Sequence, residues 1–193
     1  MRSNSIINFL RNFLFLITIN ILLLVSFNCY SQQIDWINVN DLKEVLKTSK
    51  KNIIIDVYTN WCGPCKLMER NTFQNKYISN FINENYHAVK FNAEGNESIN
   101  FMDKFFQNPN FDSSRVNTRN ATHEFARFLG ISAYPTTVFL DKDMNLITPV
   151  RGYLIPKQLE IYLELFKNDD YRTITSQSDF DNFIKNFKSK IID

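Results

Sequence analysis

The hydrophobic and polar positions of this chain change period several times. Residues 52–59, NIIIDVYT, form a short and almost wholly apolar β-branched run. That is the pattern of a central strand buried on both faces. Before it, IDWINV at 34–39 alternates and predicts a short strand. Residues 40–51 predict a helix with Leu42, Val45 and Leu46 on one face and Asp41 with Glu44 as a capping box. Helical spacing returns from Gly63 to Asn71, and again within 71–86, where Tyr77, Phe81 and Ile82 share a face. HAVKFNAE at 87–94 predicts a further strand, and 119–129 a helix ended by Gly130. Residues 135–141 and 146–153 predict a hairpin across the polar turn Lys142–Asn145. Pro156 opens a helix with Leu159, Tyr162, Leu163 and Phe166 as its buried stripe. Strand–helix–strand alternation closed by a hairpin predicts an α/β fold: a mixed central sheet with helices on both faces.

Two segments stand outside this frame. In 95–118, Phe101, Met102, Phe105 and Phe106 predict a short amphipathic helix before a loop rich in Asn and Ser. The segment leaves the C-terminal end of a strand expected to run parallel to 52–59. It is therefore expected at the sheet edge where residues 60–65 emerge. There it forms a lip that restricts partners, or else an ornament packing its phenylalanines on the core. The tail 169–193 predicts a helix near Ser178–Lys188 with Phe180, Phe183, Ile184 and Phe187 inward, covering the core or making a dimer contact.

The N-terminus has a separate pattern. Arg2 and Arg11 precede an uncharged run, Phe13–Phe27, and small residues at Cys29 and Ser31 suit signal-peptidase cleavage. Residues 1–31 are expected to be an export signal, leaving 32–168 as the main domain. An uncleaved membrane anchor or a lipid on Cys29 are the rival readings, and only these would bring the chain to a membrane. Without Arg2 and Arg11 the chain carries equal numbers of basic and acidic residues, twenty of each. No basic surplus remains to bind nucleic acid.

Removal of 1–31 also leaves Cys62 and Cys65 as the only cysteines, in TNWCGPCKLME. They lie just past the strand at 52–59, where open α/β sheets place their sites. A helix starting near Cys62 would aim backbone N–H groups at its sulfur and lower its pKa by roughly one unit. Pro64 fits the first helical turn, and Gly63 leaves the space above the sulfur open. Three readings apply to such a pair: a redox dithiol, half of a zinc site, or an inert structural disulfide. Zinc lacks partners, since there is no second CxxC and His87 and His123 are the only histidines. A four-residue loop gives an inert disulfide little entropic effect. No metal or other cofactor is expected, and His123 reads as a residue on a helix surface.

WCGPCK after a strand containing Asp56, with YPT far downstream, resembles the thioredoxin family over roughly 34–168. The resemblance implies the thioredoxin fold, with an insertion before the helix that precedes Pro135 and an extra C-terminal helix. It implies that Cys62 attacks, Cys65 resolves, and Asp56 moves a proton to or from Cys65 with Lys90 beside it. It implies that Pro135 is cis, that Tyr134 pairs through its backbone with an extended substrate, that Trp61 packs beside the site, and that Gly152 admits the substrate. The plainer readings of these residues are a strand-end salt bridge for Asp56, a solvated face for Lys90 and packing for Tyr134. DVYTNWCGPCKLMERNTF further resembles the periplasmic thioredoxin-like domain of the disulfide-reductant conduit DsbD, through Met68, Glu69, Thr72 and Phe73. Together these imply an exported, periplasmic and monomeric thiol–disulfide oxidoreductase. It would reduce disulfides of protein substrates and be recharged by a membrane reductant donor. The Gly-Pro dipeptide favours reduction. An oxidase or isomerase, and a non-catalytic binding module, are the alternatives.

Overall fold

A computed structural model describes residue 15 and residues 33–191. The leader expected at 1–31 lies outside the described residues apart from Phe15. Among the described residues no helix is long and apolar enough to cross a membrane.

The sheet has the order β2-β1-β5-β6. Strand β1 (Asn52–Tyr58) lies parallel to β2 (Tyr86–Asn92) and antiparallel to β5 (Thr136–Leu140), which pairs antiparallel with β6 (Leu146–Arg151). This is the thioredoxin fold, with the mixed sheet the sequence predicts. The continuous apolar run in β1 has two destinations. Ile53, Ile55 and Val57 point into a cluster with Leu42 and Leu46 of α1 (Leu42–Thr48) and Phe125 of α4 (Glu124–Phe128). Ile54 points the other way, against Met68 of α2 (Gly63–Met68), Ile78 and Ile82 of α3 (Lys76–Asn85) and Leu159 and Leu163 of α5 (Pro156–Phe166). Period-2 alternation puts Asp56 on the Ile54 face, toward α2.

The expected strand at 34–39 is reduced to one bridge, Ile37 to Val89. The chain turns away at Asn38, whose side chain caps a 3-10 turn at Val39–Asp41 and accepts from the Asn40 N–H. That turn also moves the capping box. It is formed by Asn38 and Asp41, and Asp41 makes no cap bond to α1.

The amphipathic helix expected around 101–106 is a hairpin, β3 (Ile99–Phe101) against β4 (Lys104–Phe106). The pleat separates the residues that helical spacing had grouped. Ile99 and Phe101 are buried, while Met102 and Phe105 face solvent at 45% and 63% exposure. Phe101 and Phe106 pack on Phe125 and Phe128 of α4. The hairpin is thus a core component, as the ornament reading has it. The loop after it reaches the end of β1, where the Asn60 side chain donates to the Val116 carbonyl.

The helix expected over 119–129 begins five residues later, at Glu124. His123 stands before it as N-cap and is fully buried, not on a helix surface. Its Nδ1 accepts from the Phe125 N–H at 3.0 Å, and its Nε2 therefore donates to the Glu97 carbonyl at 2.7 Å. In the tail, α6 (Gln177–Asn186) starts at a Ser176–Asp179 capping box. Beyond α6, Ser189 and the Lys190 N–H donate to the buried carboxylate of Glu160.

Candidate active site

Strand β1 ends at Tyr58, and a short turn places Cys62 as the N-cap of α2. Its sulfur accepts from the Cys65 N–H at 3.1 Å, the contact that favours a thiolate there. Cys62 and Cys65 form a disulfide, with their Cα atoms 5.3 Å apart. Pro64 occupies the first turn of α2, where its missing N–H has no role. A Cβ on Gly63 would meet nothing within 4 Å, so the space above this turn is free.

The two sulfurs open onto different surroundings. Cys65 lines a cavity of about 530 Å³ with Asp56, Tyr58, Glu69, Lys90 and Asn117. Asp56 is 4% exposed. Burial pushes its carboxyl up to about 7, with the Glu69 charge adding to the rise and Lys90 opposing it. The Lys90 ammonium stands 3.9 Å from Asp56 and donates to Glu69 at close range. It also lies over the rings of Trp36 and Tyr58, at 5.2 and 5.5 Å from their centroids. Lys90 is therefore built into the site and is not a solvated strand residue.

Cys62 is 2% exposed and lines a groove of about 600 Å³ with Trp61, Glu94, Arg119, Thr122 and Tyr134. The Tyr134–Pro135 peptide is cis. Tyr134 meets Trp61 edge to face, their centroids 6.0 Å apart. The Gly152 N–H donates to the Pro135 carbonyl at 2.8 Å, and Gly152 has φ +97°. A Cβ there would meet no atom within 4 Å, so the backbone conformation, not crowding, calls for glycine.

Three residues of the site went unassigned from sequence. Glu69 belongs to the Met-Glu pattern quoted above, but nothing in the pattern gave it a role. It sits where α2 passes into a π-helical turn, Glu69–Phe73. Glu94 is 9% exposed, and one of its oxygens accepts from Trp61 Nε1 at 2.7 Å and from the Asn120 N–H at 2.8 Å. The Arg119 guanidinium lies 5.0 Å from the Trp61 ring centroid. Neither Glu94 nor Arg119 carries a sequence signal, because each acts across a loop closure.

The Thioredoxin-like domain family matches residues 39–167. The chain belongs to this family. The thiol:disulfide interchange protein DsbD of Campylobacter jejuni is 31% identical over 84 residues, 42% of this chain and 15% of that protein. A thioredoxin of Mycoplasmoides gallisepticum is 48% identical over 31 residues, 16% of this chain and 30% of that one. The chain thus matches only a minor part of each of these relatives. Among solved structures, a thioredoxin-fold protein from Helicobacter pylori superposes with a TM-score of 0.54 at 20% identity, covering 70% of this chain and 81% of that one. A bonded CxxC pair at the end of β1, in a member of this family, points to thiol–disulfide exchange.

Proposed function

We propose that the protein is an exported reductase of disulfides in polypeptide substrates, with Cys62 as attacking thiolate and Cys65 as resolving thiol. The observation that carries this reading is the split surroundings of the pair. Cys62 receives an N–H and faces a groove, while Cys65 faces a buried acid whose pKa is near 7.

In the reduced protein, the Cys62 thiolate attacks one sulfur of a substrate disulfide. A mixed disulfide forms and the other substrate sulfur leaves as a thiolate. The Asp56 carboxylate takes the proton of the Cys65 thiol, and the resulting thiolate attacks Cys62 Sγ. The substrate leaves with both sulfurs reduced, and the protein is left as the disulfide. A second thiol–disulfide exchange, with a membrane-borne dithiol donor, returns it to the dithiol. The Tyr134–Pro135 segment offers backbone to an extended substrate, and Trp61 and Gly152 flank it. Export is supported by the basic and then apolar pattern of residues 1–31. A reductant role is supported by Gly-Pro between the cysteines and by the partial likeness to DsbD.

The decisive measurement is the reduction potential of the Cys62–Cys65 couple. A value near that of thioredoxin, about −270 mV, is expected, and one near about −120 mV would make the protein an oxidant. Cys65→Ser, which cannot resolve, is expected to accumulate mixed disulfides with its substrates. Absence of any such adduct would count against a polypeptide substrate.

A further inference from the structure

Exposed cations flank the dithiol on both sides. The groove beside Cys62 contains one acid, Glu94, whose oxygen is engaged by Trp61 and by the Asn120 backbone. It contains one cation, Arg119, exposed and laid over the Trp61 ring. On the other side of the disulfide, exposed Lys66 borders the Cys65 cavity. Exposed Arg151 stands opposite Thr136, one residue beyond Pro135. None of these three cations pairs with an acid among the described residues. Glu69 is paired with Lys90, while Glu94 is bonded by two neutral N–H groups and keeps its charge in the groove. Three exposed cations without an ion-pair partner among the described residues thus stand around the reactive sulfurs.

Arg119 is also held in place. It closes the loop that follows the β3–β4 hairpin, and its neighbour Asn120 donates to the same Glu94 oxygen that receives the Trp61 indole N–H. Asn60, next to Trp61, donates to the Val116 carbonyl of the same loop at 3.0 Å. These bonds hold the loop that carries Arg119 beside the tryptophan next to the attacking cysteine, and the guanidinium lies over that ring.

We propose that Arg119 selects substrates, favouring extended polypeptides that carry an acidic side chain beside the disulfide cysteine. A strand lying along Tyr134 with its sulfur at Cys62 would pass a flanking carboxylate through the part of the groove that Arg119 lines. A guanidinium presents a fork of donors to such a carboxylate, and burial of the pair under the docked chain strengthens it. A lysine at the same substrate position would be repelled. This rests on the reductase reading above and adds the class of polypeptide it acts on.

The test uses the pre-reduced full chain and two disulfide-linked peptides identical except for Glu or Lys on both sides of the half-cystine. Single-turnover reduction is followed at low and high salt, with insulin as a general substrate. The Glu peptide is expected to react about fivefold faster at low salt, with the difference shrinking as salt screens it. Arg119→Glu is expected to reverse the preference and Arg119→Ala to remove it. Any change in thiolate reactivity, read by alkylation of Cys62 with neutral iodoacetamide, acts on both peptides alike, so the Glu-to-Lys rate ratio separates substrate selection from activation of the thiolate. Equal rates for the two peptides would overturn the selection and leave the reductase reading standing, as would a preference that survives Arg119→Glu. Failure to reduce either peptide or insulin would overturn the reductase reading and the selection with it.

Discussion

Lys90 gives its ammonium to Glu69 and stands 3.9 Å from Asp56. The cation that would hold Asp56 in its charged form is drawn to a second carboxylate, and that carboxylate adds its own repulsion. Glu69→Gln removes one negative charge and releases Lys90 toward Asp56, so the Asp56 pKa should fall by about one unit. Lys90→Met should raise it. The pH dependence of mixed-disulfide resolution reads both shifts. A midpoint that stays in place in Glu69→Gln would show that Asp56 does not set the rate of that step.

The raised pKa of Asp56 predicts a stability that falls as pH rises. An ordinary aspartate titrates near 3.8, and this one near 7. Between those values the folded state holds a proton that the unfolded state has lost, so the slope of stability with pH is negative there. The penalty is absent below about 4 and complete above about 7, where it reaches ~4 kcal/mol. Asp56→Asn should therefore be more stable than the parent at pH 8 by a few kcal/mol, about equal to it at pH 4, and slower to resolve mixed disulfides. Denaturant melts at the two pH values measure the difference, and a gain independent of pH would place the effect elsewhere.

The β3–β4 hairpin should behave as part of the core. Phe101 is 3% exposed and packs on Phe125. Phe101→Ala is expected to cost about 3 kcal/mol in chemical denaturation. The solvent-facing Phe105→Ala should change stability by less than about 0.5 kcal/mol. Similar losses at the two positions would contradict the pleat.

His123→Ala removes the cap on α4 and leaves the Glu97 carbonyl without its donor. The combined cost should be about 2 kcal/mol. Asn, a good N-cap residue, should recover part of it. A loss below about 0.5 kcal/mol would show that water replaces the imidazole.

The parts of the fold legible in the sequence are those where a local pattern and a burial state coincide. The β1 run, the β5–β6 hairpin and the stripe of α5 are of this kind. The β3–β4 hairpin was illegible because its two-residue turn, Met102–Asp103, holds positive φ at both positions without the Asn-Gly that normally marks it. Phe101, Met102, Phe105 and Phe106 then imitate helical spacing. The bridge at Ile37 was overstated because Asn38 and Asp41 start a turn that the alternation conceals. In the site, Cys62, Cys65 and Asp56 lie within one strand–turn–helix unit and can be read together. The parts played by Glu94, Arg119 and His123 depend on where a long loop returns, which no local spacing encodes.

The shared oxygen of Glu94 makes the loop and the redox motif one inherited unit. A relative that replaces Glu94 gives up the anchor of its tryptophan and the mooring of its loop in the same step. Changes at 94 and 61 should therefore travel together through the lineage, while position 120 need only supply a backbone N–H and the solvent-facing tip of the hairpin drifts freely. A loop moved from another family member would bring its own charge to the groove only if it also brought a backbone N–H to that oxygen.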